Sequence, residues 1–165
     1  MNRALAALAA LMATLLACGG AQTQASHRDH LELIPEGQAL AIVADVVREA
    51  GLEVGPPFAV DIGAARPLEV DARVGQTRFG IEWVSPQDHA DYGEAIPTPP
   101  ADGSLLILPG RGDDNDIEVL VLDAPRYRFD PDPDAVYGGA LSPNEAEARL
   151  RRDVRDFLEY CRGQL

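Results

Sequence analysis

Lysine is absent from this 165-residue chain, and all 14 of its basic residues are arginine. That removes Schiff-base and lysine-nucleophile chemistry, together with the lysine of a P-loop. Positive charge is also scarce, with 14 basic residues against 27 acidic ones and a formal net charge of −13. Such a balance opposes phosphate backbones and anionic headgroups, so no nucleic-acid partner is expected. None of Ser26, Ser85, Ser104 and Ser142 sits in a Gly-x-Ser-x-Gly elbow, so the serine-hydrolase signature is missing. No apolar run approaches the roughly 20 residues that a membrane-spanning helix requires.

What is present begins at the amino terminus. Arg3 supplies a positive n-region, Ala4 to Ala17 an apolar h-region, and Leu15-Leu16-Ala17-Cys18 closes it with a small residue before a cysteine. This is the layout of an export signal. The four-residue ending resembles the lipobox of bacterial lipoproteins. The resemblance covers residues 1–18 and implies cleavage after Ala17, a diacylglycerol on the Cys18 sulfur and a further acyl chain on its new amino group. Two or more chains, at about 0.8 kcal/mol per buried methylene, anchor a soluble domain stably. In the family's sorting logic Gly19, rather than an aspartate, directs the protein to the outer membrane. The mature chain would carry 13 basic and 27 acidic residues, a formal charge of −14, so the membrane would be held by lipid alone. With Cys18 acylated, Cys161 has no disulfide partner. Cys161 falls on the apolar side of a helical pattern with Leu150, Val154, Phe157 and Leu158, which makes it an inert core position.

Residues 19–30 are small and polar without apolar periodicity and read as a tether, whose twelve residues span about 20 Å. His27 and His30 are spaced to share a metal, but nothing in a tether holds further ligands. The expected organisation is a signal over residues 1–17, a lipidated cysteine and tether over 18–30, and one α+β domain over 31–165.

Within that domain Glu36 to Ala50 reads as a helix, with Leu40, Val43, Val47 and Ala50 at helical spacing and Gly51 at the C-cap. Leu68, Val70, Ala72 and Val74 alternate with Glu69, Asp71 and Arg73, predicting a strand with one apolar face. A two-residue turn at Gly75-Gln76 would pair Val74 with Thr77, Ala72 with Phe79, Val70 with Ile81 and Leu68 with Trp83. Phe58, Val60 and Ile62 suggest a preceding strand. Ser85-Pro86 opens a short helix to about Gly93, and Pro97, Pro99 and Pro100 mark an irregular loop. Leu105–Leu108 and Ile117–Leu122 read as strands, the second apolar on both faces and therefore central. Tyr127 and Phe129 extend the sheet in this reading. Ser142-Pro143-Asn144-Glu145 is a capping box for a last helix to about Arg162, with Glu145–Arg149, Glu147–Arg151 and Arg155–Glu159 as i, i+4 pairs. The predicted architecture is a mostly antiparallel sheet of about five strands with the terminal helices on one face.

Three groups of residues are candidates for chemistry. Asp113, Asp114, Asp116, Asp130, Asp132 and Asp134 supply hard oxygen ligands in an acidic stretch, for which Ca²⁺ is the candidate ion and a basic partner the alternative contact. The stretch lacks the glycine and final glutamate of an EF-hand, and no other cofactor is indicated. Asp88, His89 and Asp123 would combine as acid and base for hydrolysis. Trp83, Tyr92, Tyr127, Phe129 and Tyr137 would line an aromatic groove, with Trp83 on the buried face. Arg111-Gly112-Asp113 is explained as a glycine turn. The expected function is a non-enzymatic accessory domain, lipid-anchored to the periplasmic face of the outer membrane, that meets a basic envelope protein. Calcium or small-molecule binding is the alternative, and a hydrolase using His89 the third.

Overall fold

The computed structural model describes residues 30–132 and 140–164, so the predicted signal and lipidation site at Cys18 lie outside the described residues, as do Asp134 and Tyr137. Five strands form a mixed sheet in the order β1–β4–β5–β7–β6. They are β1 (Val54–Gly55), β4 (Ala72–Val74), β5 (Phe79–Val84), β6 (Leu106–Pro109) and β7 (Glu118–Asp123). β2 (Phe58–Val60) and β3 (Leu68–Val70) make a separate antiparallel ribbon. The helices are α1 (Glu36–Glu49), α2 (Pro86–Tyr92) and α3 (Pro143–Gly163). The architecture is α+β, as predicted.

Both long helices lie on one face of the sheet. Ile42, Val43, Val46 and Val47 of α1 share a core with Leu150, Val154, Phe157 and Leu158 of α3 and with Phe79, Ile81, Trp83, Leu120 and Leu122 of the sheet. α1 ends in a Schellman motif: Gly51, at φ 77°, donates to Arg48 and Leu52 donates back to Val47 at 3.1 Å. α3 starts on the predicted capping box, with Ser142 N–H donating to Glu145 Oε2 at 2.8 Å. Its polar side chains do not form the expected i, i+4 pairs. Glu145 is taken by the cap, Arg149 donates to the Arg126 carbonyl, and Glu147 and Arg151 reach Gln38 and Glu49. Long side chains beside a neighbouring helix find partners across the gap rather than along their own surface.

The opposite face carries a second core, built from Val60, Ile62, Leu68, Val70, Val84, Tyr92, Val119 and Val121. Here the structure corrects the hairpin. Ala72 pairs with Ile81 and Arg73 with Gly80, two residues away from the expected register. Thr77 explains the shift, because its hydroxyl donates to the Val74 carbonyl at 2.6 Å and accepts from Phe79 N–H, which draws it into the turn. A two-residue shift preserves side-chain alternation, so Phe79, Ile81 and Trp83 remain buried. The predicted single strand is also broken at Asp71. Leu68 and Val70 turn to the second core while Val74 serves the first.

Gly80 permits the ribbon to sit on β5. A Cβ there would meet Val70 Cγ1 at 2.7 Å and Phe58 Cζ at 2.9 Å, so only glycine leaves room. β7 is interior, as its apolar run predicts, and it pairs antiparallel with β6 but parallel with β5. Tyr127 and Phe129 do not extend the sheet. Pro125 lies in a 3-10 turn over Ala124–Tyr127, and Phe129 forms only isolated bridges with Glu32 and Leu141.

Candidate functional site: titratable groups at the carboxyl ends of the parallel strands

β5 and β7 end side by side, with Val84 opposite Asp123. Gly80, Glu82 and Val84 on β5 alternate toward the second core, as do Val119, Val121 and Asp123 on β7. The chain leaves β5 directly into α2. Ser85 caps it, its N–H and hydroxyl both donating to Asp88 Oδ2 at 2.9 and 2.7 Å. The next residue is His89. One turn from the cap, its Nε2 lies 2.7 Å from Asp123 Oδ1.

The His89–Asp123 pair is the combination expected from sequence. Asp123 is nearly enclosed, its side chain 8% exposed, and the imidazole is 28% exposed. A carboxylate in that position orients the ring, and a fixed ring orientation is what general acid or base work requires. Asp88, expected to join them, is occupied by the Ser85 cap.

A second acidic pair was not anticipated. Continuing the β4–β5 register by one residue sets Asp71 opposite Glu82, at the break between β3 and β4. The ladder there is carried by side chains: Asp71 N–H donates to Glu82 Oε2 at 2.9 Å, and Trp83 N–H donates to Asp71 Oδ2 at 2.8 Å. The two carboxyl groups also hydrogen-bond each other. Glu82 is 6% exposed. Burial, reinforced by the Asp71 charge, pushes its carboxyl up to about 9. Burial raises Asp71 as well, against the lowering effect of its bond from Trp83. Two carboxyl groups in contact cannot both ionise cheaply, so one proton is shared at neutral pH. The available signal was an acid inside the apolar run Phe79–Val84.

The acidic stretch is divided by β7. Asp113 and Asp114 lie in a 3-10 turn before that strand, and Asp130 and Asp132 follow it. Asp114 Oδ2 accepts from Asp61 N–H at 2.8 Å, closing the turn onto the end of the ribbon. Gly110 beneath it is required, since a Cβ would lie 2.1 Å from the Asp114 carbonyl oxygen. Asp113 and Asp116 are exposed. Asp130 Oδ1 accepts from Asp132 N–H at 2.9 Å. Among the described residues no three potential metal-ligating side chains converge. Among the described residues the aromatic groove does not form: Tyr127 stacks on Trp83 in the helical core, whereas Tyr92 sits in the second core and donates to the Pro67 carbonyl. Cys161 is buried, and its enclosure raises the thiol to about 12. A cavity of 290 Å³ opens between α1 and α3, floored by Val46, Ala50 and Leu158.

No family model, curated protein or solved structure matches the chain.

Proposed function

We propose that this protein is a lipid-anchored lipoprotein of the bacterial outer membrane whose acidic domain acts in the periplasm as a non-enzymatic accessory subunit, binding a basic envelope protein. The observation that carries the reading is surface charge: among the described residues sixteen acidic side chains are exposed against seven arginines. A surface of one sign speeds encounter with a complementary partner and makes the association fall with salt. Anchoring rests on the Leu15–Cys18 box. Affinity capture from envelope extract at low and high ionic strength tests the interaction. A basic partner retained only at low salt supports it, and retention equal at both salts refutes it. Replacing Cys18 by serine should release the protein from the membrane fraction, and retention of that variant in the fraction would refute the anchor.

A second reading, general acid–base catalysis at His89, is favoured by the 2.7 Å contact with Asp123. Envelope hydrolase activity unchanged in His89→Ala would remove it.

A further inference from the structure

We propose that Asp71 and Glu82 form a proton-held latch that seats the β2–β3 ribbon on the main sheet and loosens it when their shared proton is lost.

The geometry defines the joint. The backbone ladder between β4 and β5 stops at Ala72 and Ile81. Beyond it, the strand turns away into β3, and the link back to β5 runs through the two carboxyl groups, each accepting an N–H from the opposite strand. The other holds lie away from this joint: the second core, in which Val60, Leu68 and Val70 pack on Val84, Val119 and Val121, and the bonds of Tyr92 to the Pro67 carbonyl and of Asp61 N–H to Asp114. The long helices pack on the opposite face, so the ribbon can loosen while the helices stay folded.

With the proton in place, one carboxyl donates to the other and both strand N–H groups stay satisfied. When hydroxide removes it as water, two carboxylates face each other in a buried site and repel. The surroundings do not offset that repulsion. Asp88 of α2 adds the same sign to both groups. Asp123 of β7, on the same face, is hydrogen-bonded to His89. Arg73 of β4 lies over the Phe58 ring at 3.7 Å and donates to the Thr77 carbonyl. Glu69 of β3 is exposed, and β2 and β6 carry no titratable side chain.

Trp83 is the single tryptophan of the chain, and its own N–H belongs to the latch. Selectively excited tryptophan emission of the purified full chain, followed from about pH 7 to about pH 10.5, reads the joint through the β5 backbone, which carries the Trp83 ring into the helical core against Tyr127. The expected result is a one-proton transition centred near pH 9 while the helical circular dichroism stays constant. E82Q, whose amide supplies the same donor and acceptor without titrating, should abolish the transition. D71N removes the facing charge and should move the midpoint downward. The proposal is overturned if the wild-type emission is flat across the range, if E82Q or D71N titrates like the wild type, or if the helical signal collapses together with the emission.

Discussion

Tyr127→Phe tests the helical core at its one buried polar link between the last 3-10 turn and α3. The Tyr127 hydroxyl donates to Asp153 Oδ2 at 2.9 Å, and Asp153 is 3% exposed. Burial, with the Asp153 charge behind it, lifts the phenol far above its usual range, so the hydroxyl remains a donor at any working pH. The other Asp153 oxygen accepts from Arg152 at 3.1 Å. Removing the hydroxyl therefore leaves a buried carboxylate oxygen unpaired, at a cost of about 1.5–3 kcal/mol. Ring packing is retained, because a phenylalanine keeps the stack on Trp83 at 5.4 Å between centroids. For a domain of this size the loss corresponds to a fall in Tm of about 5–12 °C. Urea denaturation followed by Trp83 emission should show a lower midpoint at an unchanged slope. In a double-mutant cycle with Asp153→Asn the coupling should exceed about 1 kcal/mol. A Tyr127→Phe protein within about 0.5 kcal/mol of the wild type would refute the assignment.

Gly80→Ala forces a methyl against Val70 and Phe58 and should destabilise the domain by about 1–3 kcal/mol; an unchanged thermal midpoint would show that the ribbon has freedom the packing denies. Gly110→Ala meets backbone rather than side chain, at 2.1 Å from a carbonyl, and should cost at least about 3 kcal/mol by the same measurement. Ser142→Ala removes the α3 cap and should lose about 1 kcal/mol, with amide exchange accelerated in the first turn of that helix. Because Asp114 is committed to Asp61, millimolar Ca²⁺ should leave the thermal midpoint unmoved; a rise of several degrees would return the acidic loops to consideration.

The helices and the sheet class were legible because their signals are local. Gly51, the Ser85 and Ser142 caps and the apolar run of β7 each act over a few residues, and each appears where expected. Strand pairing depends on contacts between distant residues, and there the reading diverged. A turn of four residues serves the alternating pattern as well as a turn of two, so only the Thr77 hydroxyl distinguished them. The break at Asp71 was hidden because alternation places an acid on the polar side whether it faces water or another carboxyl group. Gly80 and Glu82 were visible as exceptions within an apolar strand, and each marks a close approach by the ribbon. The His89–Asp123 contact could be named in advance, since a helix cap and a strand end set both positions. Its parallel pairing could not, because nothing local distinguishes a parallel neighbour from an antiparallel one.

The enclosure of Cys161 turns thiol chemistry into a reading of the amino terminus. A thiol buried among Leu158, Phe157 and Val154 and raised to about 12 presents almost no thiolate to a maleimide while the domain is folded. Any rapid labelling of the native protein must then report Cys18, the only other cysteine. A thioether at that sulfur would block the reagent, so native protein from the membrane would take up no label, whereas the unfolded protein would take up one equivalent. Counting thiols before and after denaturation thus distinguishes the acylated chain from an unprocessed one without isolating the lipid.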